Sequence, residues 1–406
     1  MTVLQRPGQP PLTPRARERL DLWAVSCQLY VLVLAGLAVA VASRFRLSLD
    51  ERFTLDGDFI QAILGIPDAS LDADDPFRNI ALVYRVLGLS DAPDLAAMLA
   101  LAVFGVGVFA ALRWTELARL TWIGLGVISV SYVLALVYLS QYSKEFVSLV
   151  VAVLVLLLPR GRRAELVLVG AMICYAVTIR PYWGVVVGLY VVGRILLPRV
   201  RGLVPVLLGV LGTYVALQLA FNSILGESLS YSRAAVNEVR ADVNVSVGSL
   251  IVDFLPDEVA LQWLNAFLVF LSLIAPWPLV LGGSSTYLVM AVVLVYLWGL
   301  VGTSLLRIQR ERRLGRTPRA ATSATPGARA PLAERGARPE RAVALLLALV
   351  VVQTIFEPDY GSYVKHIVPM LPLFLALLPL KAKESSDLLT TVPAGSTTPP
   401  RPGAVA

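Results

Sequence analysis

The chain has little charge, one histidine and few cysteines. Only 16% of its 406 residues are charged and 57% are hydrophobic. A mean hydropathy of +0.73 is more than one or two soluble domains of that length can bury. The composition therefore reads as an integral membrane protein. Its two cysteines, Cys27 and Cys174, both lie in apolar stretches, which supports neither a disulfide framework nor a thiolate metal site. An internal repeat of the kind that builds inverted-repeat transporters is also lacking.

What charge there is lies unevenly. Arginines account for most of the net charge of +7 and crowd the N-terminus, the Arg160 to Arg163 turn, Arg199 to Arg201, and the stretch from Arg307 to Arg341. Clusters of this kind mark cytoplasmic loops rather than a nucleic-acid surface, so no nucleic-acid partner is expected. The polar, proline-rich start runs through Arg19, and the apolar run from Leu20 to Ala42 lacks a small-residue cleavage site. It reads as a retained first span. Heavy use of Ala, Leu, Val and Arg with few lysines suits a GC-rich bacterial genome, which places the chain in a bacterial cytoplasmic membrane. The sequon Asn244-Val-Ser246 carries little weight there.

A helix crossing ~30 Å of hydrocarbon needs roughly 20 apolar residues, and about ten segments are read as spans on that basis. They are 21–43, 94–113, 118–139, 145–158, 164–180, 182–198, 203–224, 285–307, 342–356 and 366–381. With the N-terminus inside, the Arg160 to Arg163 turn, Arg199 to Arg201, the 308–341 loop and Lys381/Lys383 all become cytoplasmic, and so do both termini. Residues 260–281 keep this rule only if they re-enter or lie at the outer interface, where Trp263 and Trp277 are suited and Pro276 and Pro278 interrupt a continuous helix. The alternative is an eleventh span with inverted topology on one side of it.

The expected fold is all-α, a polytopic transmembrane helix bundle with outer re-entrant or interfacial helices. A cytoplasmic tail (1–20) precedes a membrane domain (21–307) with outer loops 44–93 and 225–284, the first carrying an amphipathic piece near Asn79 to Leu89. A disordered basic loop (308–341), two last spans (342–383) with an outer motif at 356–366, and a disordered tail (384–406) follow. Segments 145–158 and 342–356 are short for spans. That sets Lys144-Glu145 and Glu357 at depth, beside a water-filled cavity.

Four charged clusters interrupt the apolar segments, and this threading puts all of them on the non-cytoplasmic face. Charges beside hydrocarbon are costly and are seldom kept without a partner or a function. Asp56 and Asp58 could supply a general base for a sugar hydroxyl, hold a divalent cation that neutralises a phosphate leaving group, or simply form a solvated acidic loop. Lys144-Glu145, in a tight turn, is either a helix-end ion pair or a substrate-contacting pair. In Arg180-Pro-Tyr182-Trp183 the guanidinium could grip a phosphate with two donors, while the aromatics anchor the interface or stack on a sugar. An arginine at a span end is often a snorkelling anchor, but such anchors usually mark the inner face.

The densest constellation is Phe356-Glu-Pro-Asp-Tyr-Gly-Ser-Tyr-Val-Lys-His366. Pro358 and Gly361 build a turn, and Glu357, Asp359, Tyr360, Lys365 and the only histidine converge on it. Read as the outer start of a span, Lys365 and His366 oppose the helix dipole, which points to an anion as their partner. A polar loop with a hydrogen-bonded histidine is the plainer alternative.

Taken together, a long acidic first outer loop, the Lys144-Glu145 turn, Pro276-Trp277-Pro278, and the late Tyr360-Gly361-Ser362…Lys365-His366 motif resemble bacterial polytopic proteins of exopolysaccharide and O-antigen clusters. These are the Wzy-like polymerases, loosely related to the GT-C glycosyltransferases. In many members the late motif ends in Arg-His; here Lys365 stands in the arginine position. The resemblance implies glycan transfer at the outer face from sugars carried on polyprenyl phosphate or diphosphate. For that chemistry Arg180, Lys365 and Lys144 suit the phosphate, Asp56, Glu357 or Asp359 the base, and His366 either role. Partners would be the polyprenyl-linked sugar, membrane lipid and other envelope-biosynthesis proteins. A lipid-linked glycan transporter and a non-catalytic envelope scaffold are the competing classes. The first expects charges buried mid-span or paired broken helices, and the second expects the four clusters to lie apart.

Overall fold

Inside hydrocarbon every backbone donor and acceptor must be satisfied within its own segment, which leaves helices as the form an apolar run can take without a closed barrel. The computed structural model describes residues 14–44, 51–66, 75–224, 226, 228–242, 250–256, 258–313 and 337–380. Among these, the regular structure is helical apart from one isolated antiparallel bridge between Leu250 and Asp359.

The helices are α1 (Pro14–Arg44), α2 (Glu51–Leu64), α3 (Pro76–Val86), α4 (Pro93–Leu112), α5 (Trp122–Leu139), α6 (Glu145–Leu157), α7 (Arg162–Thr178) and α8 (Trp183–Leu196). There follow α9 (Val204–Ile224), α10 (Tyr231–Asp242), α11 (Gln262–Ile274), α12 (Trp277–Leu281), α13 (Ser285–Arg313), α14 (Ala337–Phe356), α15 (Tyr360–Ile367) and α16 (Leu371–Leu375). Short 3-10 turns at Trp114–Arg119, Val259–Leu261 and Val368–Met370 join some of them. Six helices, α1, α4, α5, α9, α13 and α14, are long and apolar enough to cross a membrane. Exposed Leu22, Val25, Leu29 and Val33 on α1, with Leu288, Val289 and Val292 on α13, give these helices an apolar outer surface.

Several expected segments differ. The stretch 342–356 is not short: α14 begins at Ala337 and runs 20 residues. The last expected span, 366–381, is not one helix. Pro369 and Pro372 each remove a backbone donor and crowd the preceding turn, so the track divides into α15, the 3-10 turn and α16. Residues 367–375 are buried throughout, so this segment is the centre of the bundle rather than a lipid-facing span. Its fit is close, because a Cβ on Gly107 of α4 would lie 2.9 Å from Pro372 Cγ. Residues 260–281 break at Ala275-Pro276 into α11 and α12. The expected disordered stretch 308–341 is helical at its two ends, to Arg313 and from Ala337; its middle and the tail after 380 fall outside the described residues.

The helices alternate in direction, so their ends fall into two layers. One layer holds the ends rich in arginine. There Arg341, fully buried, donates to Glu165 Oε1 at 2.9 Å and to the carbonyls of Leu158 (2.7 Å) and Pro159 (2.9 Å), a cationic cap on the C-terminus of α6. The other layer, about 24 Å away along the sixteen residues of α14 between Arg341 and Glu357, carries α2 and α3. Residues 44–93, expected to be mostly loop, supply both helices. Asp75 caps α3 by accepting from the backbone N–H of Phe77 and Arg78 at 2.9 and 3.1 Å. Arg85 ties α3 to the end of α2 through the carbonyls of Leu64 and Ile66. Asn79 donates to Thr178 O at 2.6 Å, and the Tyr84 hydroxyl bonds both backbone groups of Ser143. The pair α2–α3 is thus fastened across the ends of α5, α6 and α7.

Candidate functional site

Asp56 lies in the interior of α2, whose inward face is Phe53, Gly57, Ile60 and Leu64. Glycine at 57 permits close contact: a Cβ there would sit 3.1 Å from Gln141 Oε1 and 3.3 Å from Tyr142 O. Gln141 Nε2 donates to Phe53 O at 2.6 Å. Asp56 is thereby laid over the 140–145 turn. Asp58, about 200° further round the same helix, is exposed and faces away from the cluster.

Asp56 Oδ2 stands 2.5 Å from Lys365 Nζ and 3.7 Å from Lys144 Nζ. Lys144 Nζ also lies 3.5 Å from the centre of the Phe77 ring, a cation–π contact supplied by α3. Burial pushes Lys144 down to about 8, against the upward pull of Asp56 and with the added repulsion of Arg180. Burial raises Asp56, but the charges of Lys365 and Lys144 overcome it and hold the carboxyl below its ordinary value.

The second half of the site is joined through Glu145 and His366. Arg180 Nη2 donates to Glu145 Oε1, and Nη1 donates to the Tyr182 hydroxyl and lies 2.8 Å from His366 Nε2. His366 Nε2 is 3.3 Å from Glu145 Oε1, and its Nδ1 is hydrogen-bonded to Glu357 Oε1. Glu145 and Glu357 are buried, whereas the side chains of Lys144, Asp56, Lys365 and His366 are 14–20% exposed. Seven ionisable groups from five segments therefore meet in one partly accessible cluster, in which Lys144, Arg180 and Lys365 balance Asp56, Glu145 and Glu357.

The 357–366 segment shows how its residues divide. Asp359 is the N-cap of α15: its carboxylate accepts from Ser362 N at 2.8 Å and from Ser362 Oγ at 2.9 Å. Gly361 is required beside it, since a Cβ would lie 2.9 Å from Asp359 Oδ1. Tyr360 donates to Ser272 O at 3.2 Å, docking α15 on α11. Asp359, Tyr360 and Ser362, expected as base and substrate contacts, thus build and dock the helix that carries Lys365 and His366. Those two residues occupy the last turn of α15 rather than the start of a span. The helix dipole favours cations at that end, so the expected opposition to the dipole is reversed.

Trp183, expected to anchor the interface or stack on a sugar, turns inward, fully buried with its ring centre 4.8 Å from that of Tyr175. Tyr182 stacks on Phe356 at 5.4 Å and keeps its hydroxyl on Arg180. Sequence reading missed Phe77 and also Gln353, one turn before Glu357 on α14. Both polar atoms of the buried Gln353 side chain, like Nε of Arg180, have no partner among the described residues. A lone amide in an apolar run was the available signal. Arg233, buried and bonded to Asp253 and to Thr354 O at 2.6 Å, secures α10 beside the same end of α14. Among the described residues, no group of three or more His, Cys, Asp and Glu is placed to hold a metal ion.

The cluster offers two chemical capacities side by side: cations grouped about an exchangeable carboxylate, and an imidazole oriented by a buried carboxylate. No family model matches the chain, and neither a curated protein nor a solved structure does.

Proposed function

We propose that this chain is an integral membrane glycosyltransferase or polysaccharide polymerase acting on sugars carried by polyprenyl phosphate or diphosphate. In this reading it sits in a bacterial cytoplasmic membrane with the arginine-rich layer and both termini on the cytoplasmic side. The shorter helices α6, α7 and α8 and the broken α15–α16 track complete about ten crossings, and α11–α12 forms the re-entrant element. The charged cluster then faces the outer side. The observation that carries the proposal is the meeting of the Lys144–Asp56–Lys365 group with the Glu357–His366–Arg180–Glu145 group.

A donor phosphate needs cations, and Lys144, Lys365 and Arg180 supply them. As the bond between the anomeric carbon and the phosphate oxygen breaks, the electron pair stays on the phosphate, which these cations stabilise. The acceptor oxygen bonds the anomeric carbon as its proton passes to His366 Nε2, and Glu357 holds Nδ1–H and stabilises the imidazolium that forms. In the unliganded arrangement Nε2 is occupied by Arg180. A phosphate that draws the guanidinium to itself frees the imidazole for the acceptor.

The test is transfer from polyprenyl-diphosphate-linked oligosaccharide by the full chain in proteoliposomes, followed as product length on gels. His366→Gln and Glu357→Gln are expected to abolish product while the purified proteins keep their helical spectra. Full transfer by both variants would exclude this site as the catalytic one.

A further inference from the structure

We propose that the cleft between α8, α13 and α14 in the arginine-rich layer binds the headgroup phosphate of an anionic glycerophospholipid. This site is separate from the charged cluster and does not depend on its chemistry. Arg194 of α8 donates Nη1 to Glu340 Oε2 at 3.2 Å and Nη2 to Glu165 Oε1 at 2.8 Å. Arg312, in the last turn of α13, donates Nη2 to Glu340 Oε1 at 2.6 Å. Glu165 also accepts from Arg341 Nε and from the Tyr190 hydroxyl.

Three guanidinium groups therefore share two carboxylates, and one positive charge is left over. The donors outnumber the acceptors too. Nε of Arg194 and Nε of Arg312 are both buried and have no hydrogen-bond partner among the described residues. Buried donors without acceptors are uncommon in folded proteins, and a bound group can supply the acceptor. What fits is a group with several acceptor oxygens and one negative charge, which describes a phosphodiester.

The surroundings choose the lipid as its source. Beside Arg194 and Glu340 lies a small cleft walled by Leu197, Leu305, Ile308 and Val343. The phosphate is placed at the mouth of this cleft, beside the guanidinium groups, rather than inside it. Ile195, Leu196 and Leu306, on the flanks of the same two helices, are exposed, so the opening is bordered by apolar side chains suited to acyl chains. Exposed Arg199, Arg307 and Arg310 add positive charge around it, which favours a net anionic headgroup over a zwitterionic one. Basic pockets between helix ends are a recurrent form of acidic-lipid recognition.

The full chain in detergent, mixed with phosphatidylglycerol, phosphatidylcholine or inorganic phosphate, is read by native mass spectrometry for retained adducts and by melting temperature. Phosphatidylglycerol is expected to be retained and to raise the melting temperature, with phosphatidylcholine and phosphate having little effect. Arg312→Gln, in the exposed last turn, should weaken phosphatidylglycerol retention about fivefold, and Ile308→Trp, which fills the cleft, should abolish it. Equal retention of the two lipids, a preference unchanged in both variants, or a response to phosphate alone overturns the proposal. The wild-type comparison stands even if either variant fails to fold.

Discussion

Arg180 Nη1 and His366 Nε2 stand 2.8 Å apart, and because a guanidinium can only donate, in the neutral ring Nε2 accepts and the proton lies on Nδ1, facing Glu357. The imidazole is thus held in one tautomer by a cation on one side and a carboxylate on the other. Removing the carboxylate frees that tautomer without removing the ring. Glu357→Gln is expected to lower transfer by roughly 10²–10⁴-fold, with His366→Gln falling as far and the double variant no further. Rates from proteoliposomes check this, and additive losses would separate the two residues.

Arg180 serves Glu145, Tyr182 and His366 through two nitrogens. Lysine keeps the charge but has a single donor centre and cannot serve all three at once. Arg180→Lys is expected to lose about 10²-fold in transfer, the scale of deleting one oriented donor, with little change in expression. Near wild-type turnover would reduce Arg180 to a point charge.

Among the described residues, Asp56 is the anion within ion-pair distance of both lysines. Asp56→Asn leaves Lys144 and Lys365 facing each other uncompensated. The expected cost is roughly 1.5–3 kcal/mol, as for loss of a partly buried charged hydrogen bond, read as a lower melting temperature with a smaller further drop in acid. The sign follows from the lowered carboxyl: its stabilisation is present above its unfolded value, near 3.8, and is lost as pH falls through the still lower folded value.

Lys144 acts in the same direction in a higher pH window. Its folded value is pushed to about 8 from 10.5, so between those values the unfolded chain holds a proton that the folded chain has shed. Stability therefore rises with pH through that window. Binding of a phosphate that needs the cation weakens through the same window. Lys144 is faced by Asp56, Glu145, Arg180, Lys365 and the Phe77 ring, and Lys144→Arg should move the loss of binding beyond pH 10. An unchanged midpoint in that variant would assign the titration elsewhere.

Gly107→Ala tests the central α16 track. The added carbon would meet Pro372 Cγ at 2.9 Å and Val153 Cγ2 at 3.2 Å, neither of which can swing aside freely. A loss of about 1–3 kcal/mol is expected, seen as a lower melting temperature with the Lys144 titration unchanged.

Much of the site was legible because charge is costly in an apolar chain. Lys144, Glu145, Arg180, Glu357, Lys365 and His366 were each conspicuous against their neighbours, and all are in the cluster. Asp56 and Asp58 looked alike as residues of a loop. Gly57 and the polar ends of α2 hide its helical period, and only that period turns Asp58 outward. Asp359 and Ser362 were indistinguishable from catalytic residues because a capping carboxylate and a reacting one share a residue type. The break in the last segment was written in Pro369 and Pro372. Its central position was not, since burial by neighbouring helices and burial by lipid demand the same apolar side chains.

Arg312 and Glu340 lie 28 residues apart in sequence, yet their side chains meet at 2.6 Å, and α13 packs along α14. The peptide between them is therefore not what keeps those helices together. Two separately made fragments, divided between Arg313 and Ala337, have the contacts to find each other in a membrane. The larger would bring Asp56, Lys144, Glu145 and Arg180, the smaller Glu357, Lys365 and His366. Neither fragment holds a working set alone, so restored transfer on co-expression would report assembly of the bundle itself.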